Sequence, residues 1–179
     1  LGVYEAQING KKVGEQMFAP GYTYYPRRVL YQETDVTELL SAGTDSGEEN
    51  ELRIFLGQGW YCGRFLCENK TRIYGEKPAV SWILRLKYMD GSGQILHSGP
   101  DVEELESPYG YAGEYDGEVY FADGRNGVIG HPVVFDGKTD FALEKTLMEV
   151  RVQEEMPVKA VRESEGRTIL DFGQNFAGI

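Results

Sequence analysis

Branched and aromatic residues alternate with polar ones through Leu52-Arg53-Ile54-Phe55-Leu56, the pattern of a half-buried strand with Leu52, Ile54 and Leu56 on one face. The next seven residues, Gly57-Gln58-Gly59-Trp60-Tyr61-Cys62-Gly63, predict a sharply turning loop in which glycines frame two aromatic rings. Those rings have two readings. Either Trp60 and Tyr61 offer amphipathic faces to a sugar or a protein partner, or Trp60 plugs one end of a sandwich core. The chain opens with the same alternation over residues 1–8. Asn9-Gly10, the strongest short hairpin signal, then sends residues 11–13 back. Residues 28–34 form another alternating stretch. Residues 79–89 form the longest, with Val80, Trp82, Leu84, Leu86 and Tyr88 on one face and Asp90-Gly91 turning it into 94–97.

Between these segments the pattern breaks into turns. Asp35-Val36-Thr37-Glu38-Leu39-Leu40 predicts one helical turn with a capping box, Asp35 accepting from the third amide and Glu38 reaching back. Residues 41–50 read as a solvated acidic loop and 101–106 as a solvated acidic turn. Segments 133–135 and 141–152 read as closing strands around Asp136-Gly137, and 158–161 and 168–172 as two more. Segment 158–161 is expected to pair, because an unpaired β-rich edge invites aggregation. Long helical periodicity is absent from the pattern. Many short strands with frequent turn signals predict an all-β fold, a jelly-roll (galactose-binding-like) β-sandwich of two antiparallel sheets. Met156-Pro157 suggests a division into a sandwich over 1–155 and a linker with the first strands of a following domain over 156–179.

Composition narrows the function. The 179 residues carry a net charge of −11, which argues against nucleic acid or an anionic membrane as partner, since both demand a concentrated positive footprint. No 18-residue apolar run is present to span a bilayer. Two cysteines, Cys62 and Cys67, and two distant histidines do not make a zinc set, and the thiols are expected to be free, with a local disulfide as the alternative. Pro20-Gly21-Tyr22-Thr23-Tyr24-Tyr25-Pro26 crowds three tyrosines into four positions, so at least one is expected to face solvent or a ligand. Tyr109, Tyr111, Tyr115 and Tyr120 lie among glycines with the acidic pair Asp116 and Glu118. Two carboxyls two apart on a strand would share a face, so a hydrolase in its own right is one reading. Against it, the sequence shows no His or Arg cluster that would split their pKa values.

Several motifs in order carry a family resemblance. Gly2-Val3-Tyr4-Glu5-Ala6-Gln7-Ile8-Asn9-Gly10-Lys11-Lys12-Val13-Gly14, Ala19-Pro20-Gly21-Tyr22-Thr23, Arg28 with Tyr31-Gln32, Asp35-Val36-Thr37, Gly57 to Gly63 and Tyr115-Asp116-Gly117-Glu118-Val119-Tyr120 resemble the N-terminal β-sandwich of bacterial α-L-rhamnosidases. Asp171-Phe172-Gly173-Gln174-Asn175-Phe176-Ala177-Gly178 is similar to the signature opening the next region of those enzymes. The Asn9-Gly10 hairpin and the Asp35-Val36-Thr37 turn also resemble the sugar-binding sandwiches of family 2 glycosidases.

The resemblance implies a non-catalytic accessory domain of a glycoside hydrolase that releases terminal α-L-rhamnose. Catalysis would lie in an α/α barrel elsewhere in the enzyme, and both ends of the chain are expected to be boundaries of a piece. The implied partners are a rhamnose-containing carbohydrate and other domains of the same enzyme. Candidate sugar contacts are Tyr22, Tyr24, Trp60, Tyr61, Arg64, Tyr74, Asp116 and Glu118. A purely structural scaffold without sugar affinity is the alternative. No cofactor is required, but some family members hold rhamnose against calcium. The matching acidic-Asn pair is Glu49 and Asn50, with Asp45 or Glu48 able to add charge. Glu49 departs from the Asp of the calcium-binding version. Asn50, Trp60 and Asp116 are expected to form one mouth. The family implies an extracellular or periplasmic setting and leaves the cytoplasm open.

Overall fold

The computed structural model describes residues 1–41, 49–66, 69–134 and 141–176. The chain begins with the expected hairpin. Strand β1 (Val3–Ile8) turns through Asn9 and Gly10, at φ 53° and 74°, into β2 (Lys11–Lys12). Both turn residues are in the left-handed region that a two-residue type I′ connection needs, which Asn and Gly accept at least cost. After the tyrosine loop comes β3 (Arg28–Tyr31), and then a single 3₁₀ turn over Thr37–Leu39. The expected capping box is replaced by a shorter device: Asp35 Oδ1 accepts from the Thr37 amide at 2.9 Å and the Thr37 hydroxyl at 2.6 Å. A carboxylate two residues upstream closes an Asx turn without help from Glu38.

Strand β4 (Leu52–Gly57) pairs antiparallel with β1 along its whole length, from Val3 opposite Gly57 to Ile8 opposite Leu52. The glycine-framed segment that follows departs from the expected loop. It is one helical turn, α1 (Gly59–Cys62), closed by the Cys62 and Gly63 amides donating to the Gln58 and Gly59 carbonyls. Gly59 has φ +49°, and an added Cβ would lie 2.8 Å from the Val3 nitrogen, so close approach to β1 reserves the position for glycine.

Short pairings follow. β5 (Arg64–Phe65) meets β6 (Lys70–Thr71), and β7 (Ile83–Lys87) meets β8 (Gly93–His97) across the Asp90-Gly91 turn. The strand predicted over 79–89 is thus trimmed to its centre, where Leu84 and Leu86 are half-buried and Ile83, Arg85 and Lys87 exposed. β9 (Glu104–Leu105) falls inside the segment expected to be an acidic turn. It pairs with β12 (Val128–Gly130), which the sequence reading did not anticipate. Between them β10 (Tyr109–Gly113) and β11 (Gly117–Tyr120) form a hairpin.

Val133 and Val134 are not strand, and the rest of that predicted element lies outside the described residues, as does Asp136-Gly137. β13 (Ala142–Lys145) pairs with β3, and β14 (Ala160–Ser164) pairs with β15 (Arg167–Asp171), so the tail is paired as expected.

The fold is all-β apart from the two short turns. Among the described residues the ladders are one three-stranded sheet, β2-β1-β4, and six two-stranded pairings. The expectation of purely antiparallel sheets is corrected at β3 and β13, which run parallel with Ala142 opposite Arg28 and Lys145 opposite Tyr31. Exposed ion pairs brace that ladder, Arg28 to Glu144 at 3.0 Å and Lys145 to Glu33 at 2.9 Å. A parallel pair needs a long crossover, and more than a hundred residues of chain intervene here.

Apart from Ile8, at the far end of β1, the most deeply buried positions gather at one junction. Gly2, Ala19, Pro20, Thr23, Tyr25, Gly57, Gly59, Cys62 and Gly63 gather where the start of β1, the end of β4, α1 and the tyrosine loop meet. That junction carries the site.

Candidate functional site

Tyr25 is the hub. It is 4% exposed, and its ring meets Tyr61 and Tyr74, each at 5.1 Å between centroids, and Tyr22 at 6.4 Å. Tyr22 continues the cluster to Phe65 at 5.4 Å and Trp60 at 6.4 Å, and Tyr24 meets Tyr74 edge-on at 6.4 Å. Five of the predicted sugar contacts therefore join one cluster: Tyr22, Tyr61 and Tyr74 meet Tyr25 directly, Trp60 joins through Tyr22 and Tyr24 through Tyr74. Edge-to-face packing of this kind contributes roughly 0.5–1.5 kcal/mol per pair beyond area burial. The three tyrosines of the loop divide as the crowding predicted: Tyr25 goes in, while Tyr22 and Tyr24 remain 45% and 55% exposed. Trp60 is half-buried, with its ring against that of Tyr22.

The hydroxyls of Tyr22 and Tyr74 lie 3.0 Å apart, and that bond, ahead of burial, pushes the Tyr74 phenol up to about 12. Beneath the platform a hollow of about 300 Å³ opens among Tyr25, Pro26, Tyr61, Tyr74 and Phe141. The Tyr25 hydroxyl is buried with no hydrogen-bond partner among the described residues. Burial, then the nearby Glu114 charge, raises its pKa.

Across α1 the surface changes character. Arg64 follows the helical turn and is held against the β10–β11 turn. Its Nε donates to Asp116 Oδ1 at 2.8 Å, a terminal nitrogen sits 2.7 Å from the same oxygen, and another bond reaches the Tyr115 carbonyl at 2.9 Å. The guanidinium also stands 5.5 Å from the Tyr115 ring centroid. Hydrogen bonding to Arg64 holds the Asp116 carboxyl below the usual carboxylate range. A glycosidase acid needs the opposite shift.

Asp116 lies in the turn, not on a strand with Glu118, so the expected shared face for two carboxyls is not formed. Glu118 sits on β11 opposite Ala112, exposed and near Tyr109, apart from the aromatic cluster. The hairpin is tied to α1 by the Ala112 amide, which donates to Gln58 Oε1 at 2.9 Å.

Asn50 lies at the other end of β4 from Trp60. A six-residue strand, about 20 Å at ~3.3 Å per residue, separates them, so the expected mouth of Asn50, Trp60 and Asp116 does not assemble. Asn50 Oδ1 accepts from Asn9 Nδ2 and from the Ser41 amide, both at 2.8 Å. An oxygen facing two N–H groups is not free for a cation, and Glu49 is exposed beside it. No group of three or more His, Cys, Asp or Glu side chains is poised for a metal among the described residues, and Asp45 and Glu48 lie outside them. Cys62 is a free, buried thiol whose pKa is raised by that burial; Cys67 lies outside the described residues. No helix among the described residues is long and apolar enough to cross a membrane.

Beyond the expected contacts, the structure brings in Tyr25, Gln58, Tyr111 and Glu114. Tyr25 had a sequence signal, being the third ring before a proline, Tyr111 stood among the glycine-spaced tyrosines and Gln58 within the Gly57–Gly63 motif, but nothing local marked Glu114. Fold and site together define an all-β domain with an exposed tyrosine platform beside an arginine-anchored cleft.

The family model described as the α-L-rhamnosidase N-terminal domain matches residues 1–168, and the chain belongs to that family. It is 34% identical to an α-L-rhamnosidase of Streptomyces avermitilis and 32% identical to one of Formosa agariphila, in each case over 99% of this chain. It covers 18% and 20% of those relatives, so it spans about one fifth of their length. Among solved structures, the S. avermitilis α-L-rhamnosidase complexed with L-rhamnose superposes with a TM-score of 0.80 at 33% identity, over 97% of this chain and 18% of that one. The native Aspergillus terreus enzyme gives 0.81 at 32% identity, over 97% and 21%.

Proposed function

We propose that this chain is a non-catalytic accessory domain of an enzyme that releases terminal α-L-rhamnose, and that it buttresses the other domains of that enzyme. The observation that carries the reading is unspent apolar surface. The accessible area is 13,986 Å², whereas a compact monomer of 20.1 kDa exposes about 8,700 Å² by the usual size scaling. Val133, Leu147 and Met148 are almost fully exposed, and Ile95, Ile129 and Leu143 largely so. Large apolar side chains left this exposed, on a chain with so much accessible area, fit a surface that another domain covers. The family relatives, five times longer, supply the further domains. The test compares the full enzyme with a version lacking residues 1–155. Loss of soluble expression supports the buttress, and a stable, fully active truncated enzyme overturns it.

A second reading, weak binding of a rhamnose-containing saccharide, is favoured by exposed Tyr22 and Tyr24 on a rigid aromatic base. The S. avermitilis structure complexed with L-rhamnose supports that ligand class. Calorimetric and chemical-shift titration of the chain with L-rhamnose, with and without calcium, tests it. Silence at millimolar sugar leaves only the scaffold role.

A further inference from the structure

The cleft beyond α1 has a chemistry that the tyrosine platform lacks. It encloses about 440 Å³, within the usual range for small-molecule sites, and its walls carry Arg64, Arg72 and Lys77 against Glu76 and Asp116. Asp116 is already neutralised by Arg64. Arg72 and Lys77 are exposed and enter no ion pair or side-chain hydrogen bond among the described residues. In a chain of net charge −11, three cations around one cleft are not a by-product of basic composition.

One wall is also fixed in advance. Arg64 is held by Asp116 and the Tyr115 carbonyl, and the Arg64 amide meets the Tyr111 hydroxyl. The backbone leading up to and including Arg72 is held in an unfavourable conformation: Leu66 and Arg72 have φ of 56° and 57°. Left-handed non-glycine residues cost on the order of 1–3 kcal/mol each and cluster where a side chain must be aimed.

We propose that this cleft takes the carboxylate of a uronic-acid residue, so that the saccharide recognised by the domain is acidic. The inference rests on the sugar-binding reading and adds the ligand's charge class. Arg72 and Lys77 would supply charge-assisted hydrogen bonds to the carboxylate, while Tyr111, whose hydroxyl donates to Asp116 Oδ2 at 3.3 Å and meets the Arg64 amide, lines the wall beside them. Long-range attraction is weak because the chain as a whole is acidic, so recognition acts at contact distance and falls with salt.

The test titrates the intact chain with methyl β-D-glucuronoside, methyl β-D-glucoside, glucose 6-sulfate and acetate, following amide shifts around Gly63, Thr71 and Tyr111. The glucuronoside is expected to bind at least about tenfold more tightly than the glucoside. The double variant Arg72→Gln/Lys77→Gln is expected to abolish that preference at unchanged melting temperature, since both side chains are exposed. Equal affinity for the two glycosides, or an unaffected double variant, overturns the proposal. Acetate binding as strongly reduces the cleft to a non-specific anion site, and tighter sulfate binding reassigns it to sulfate esters; either outcome rejects a uronate. L-Rhamnose titrated on the same sample separates the two readings. Shifts at Tyr22 and Tyr24 without glucuronoside preference end this inference alone, and silence to every sugar ends the sugar-binding reading with it.

Discussion

Asn9 Nδ2 donates to Asn50 Oδ1 at 2.8 Å and thereby ties the first hairpin turn to the entrance of the central strand. The same nitrogen reaches the Leu39 carbonyl at 3.0 Å, and Asn9 Oδ1 accepts from the Glu51 amide at 2.9 Å. Asn50 passes the link on to Ser41 through both ends of its amide. One residue in the left-handed turn therefore secures three backbone segments.

Because those bonds occupy Asn50, the substitution Asn50→Ala is expected to destabilise the chain by about 1–3 kcal/mol, the cost of two to three partly exposed hydrogen bonds. Chemical denaturation checks it. Calcium at millimolar concentration is expected to leave the wild-type melting temperature unchanged. A calcium-dependent rise that Asn50→Ala removes would make Asn50 a ligand instead of a cross-brace.

Glu114 has both carboxyl oxygens buried without hydrogen-bond partners among the described residues, and burial raises its pKa above the ordinary 4.5. A carboxyl with a raised folded-state pKa holds its proton longer in the folded chain than in the unfolded one. Its effect on stability is therefore most favourable below the unfolded value and is lost as pH rises through the folded one. Glu114→Gln keeps the shape and removes the charge beside Tyr25. The variant is expected to be more stable than wild type at pH 7, by on the order of 1 kcal/mol, with the gain vanishing near pH 4. Melting curves of both proteins across that range decide it. A gain that does not change with pH would remove the titration argument.

What could be read in advance was local. Asn9-Gly10, Asp90-Gly91 and the alternation through Leu52, Ile54 and Leu56 each contain their own instruction, and the structure follows them. The pairing of β3 with β13 contains no such instruction, since its partners lie more than a hundred residues apart in sequence. Sequence separation also hides the site: Tyr22 meets Tyr74, and Arg64 meets Asp116, only after the chain has folded. The motif Gly57 to Gly63 announced a sharp turn, but its glycines allow either a loop or a helical turn, and the close approach of Gly59 to Val3 was not legible in it.

That contact predicts a large effect from a small change. Gly59→Ala would place a methyl 2.8 Å from the Val3 nitrogen at φ +49°. The left-handed conformation costs a non-glycine residue about 1–2 kcal/mol, and the steric conflict adds to it. A loss of about 2–4 kcal/mol is expected, read from urea unfolding, together with perturbed amide shifts at Tyr22 and Tyr61. A normal unfolding midpoint would mean that α1 does not depend on its approach to β1.

The unspent surface supports the last prediction, which separates the chain's own stability from its docking. Leu147 and Met148 are 94% and 88% exposed, between β13 and the Met17–Val150 bridge. Replacing both with serine removes nothing from the isolated chain's interior, so its melting temperature is expected to stay within about 1 °C, since surface substitutions away from special features are usually near neutral. The isolated variant is also expected to bind less of a hydrophobic dye and to aggregate at higher concentration than wild type. In the full enzyme the same side chains would be covered. There each loses about 1.5–3 kcal/mol of apolar burial, and the domain boundary becomes more sensitive to protease. Equal effects in both settings would place Leu147 and Met148 on free surface and move the docking face elsewhere.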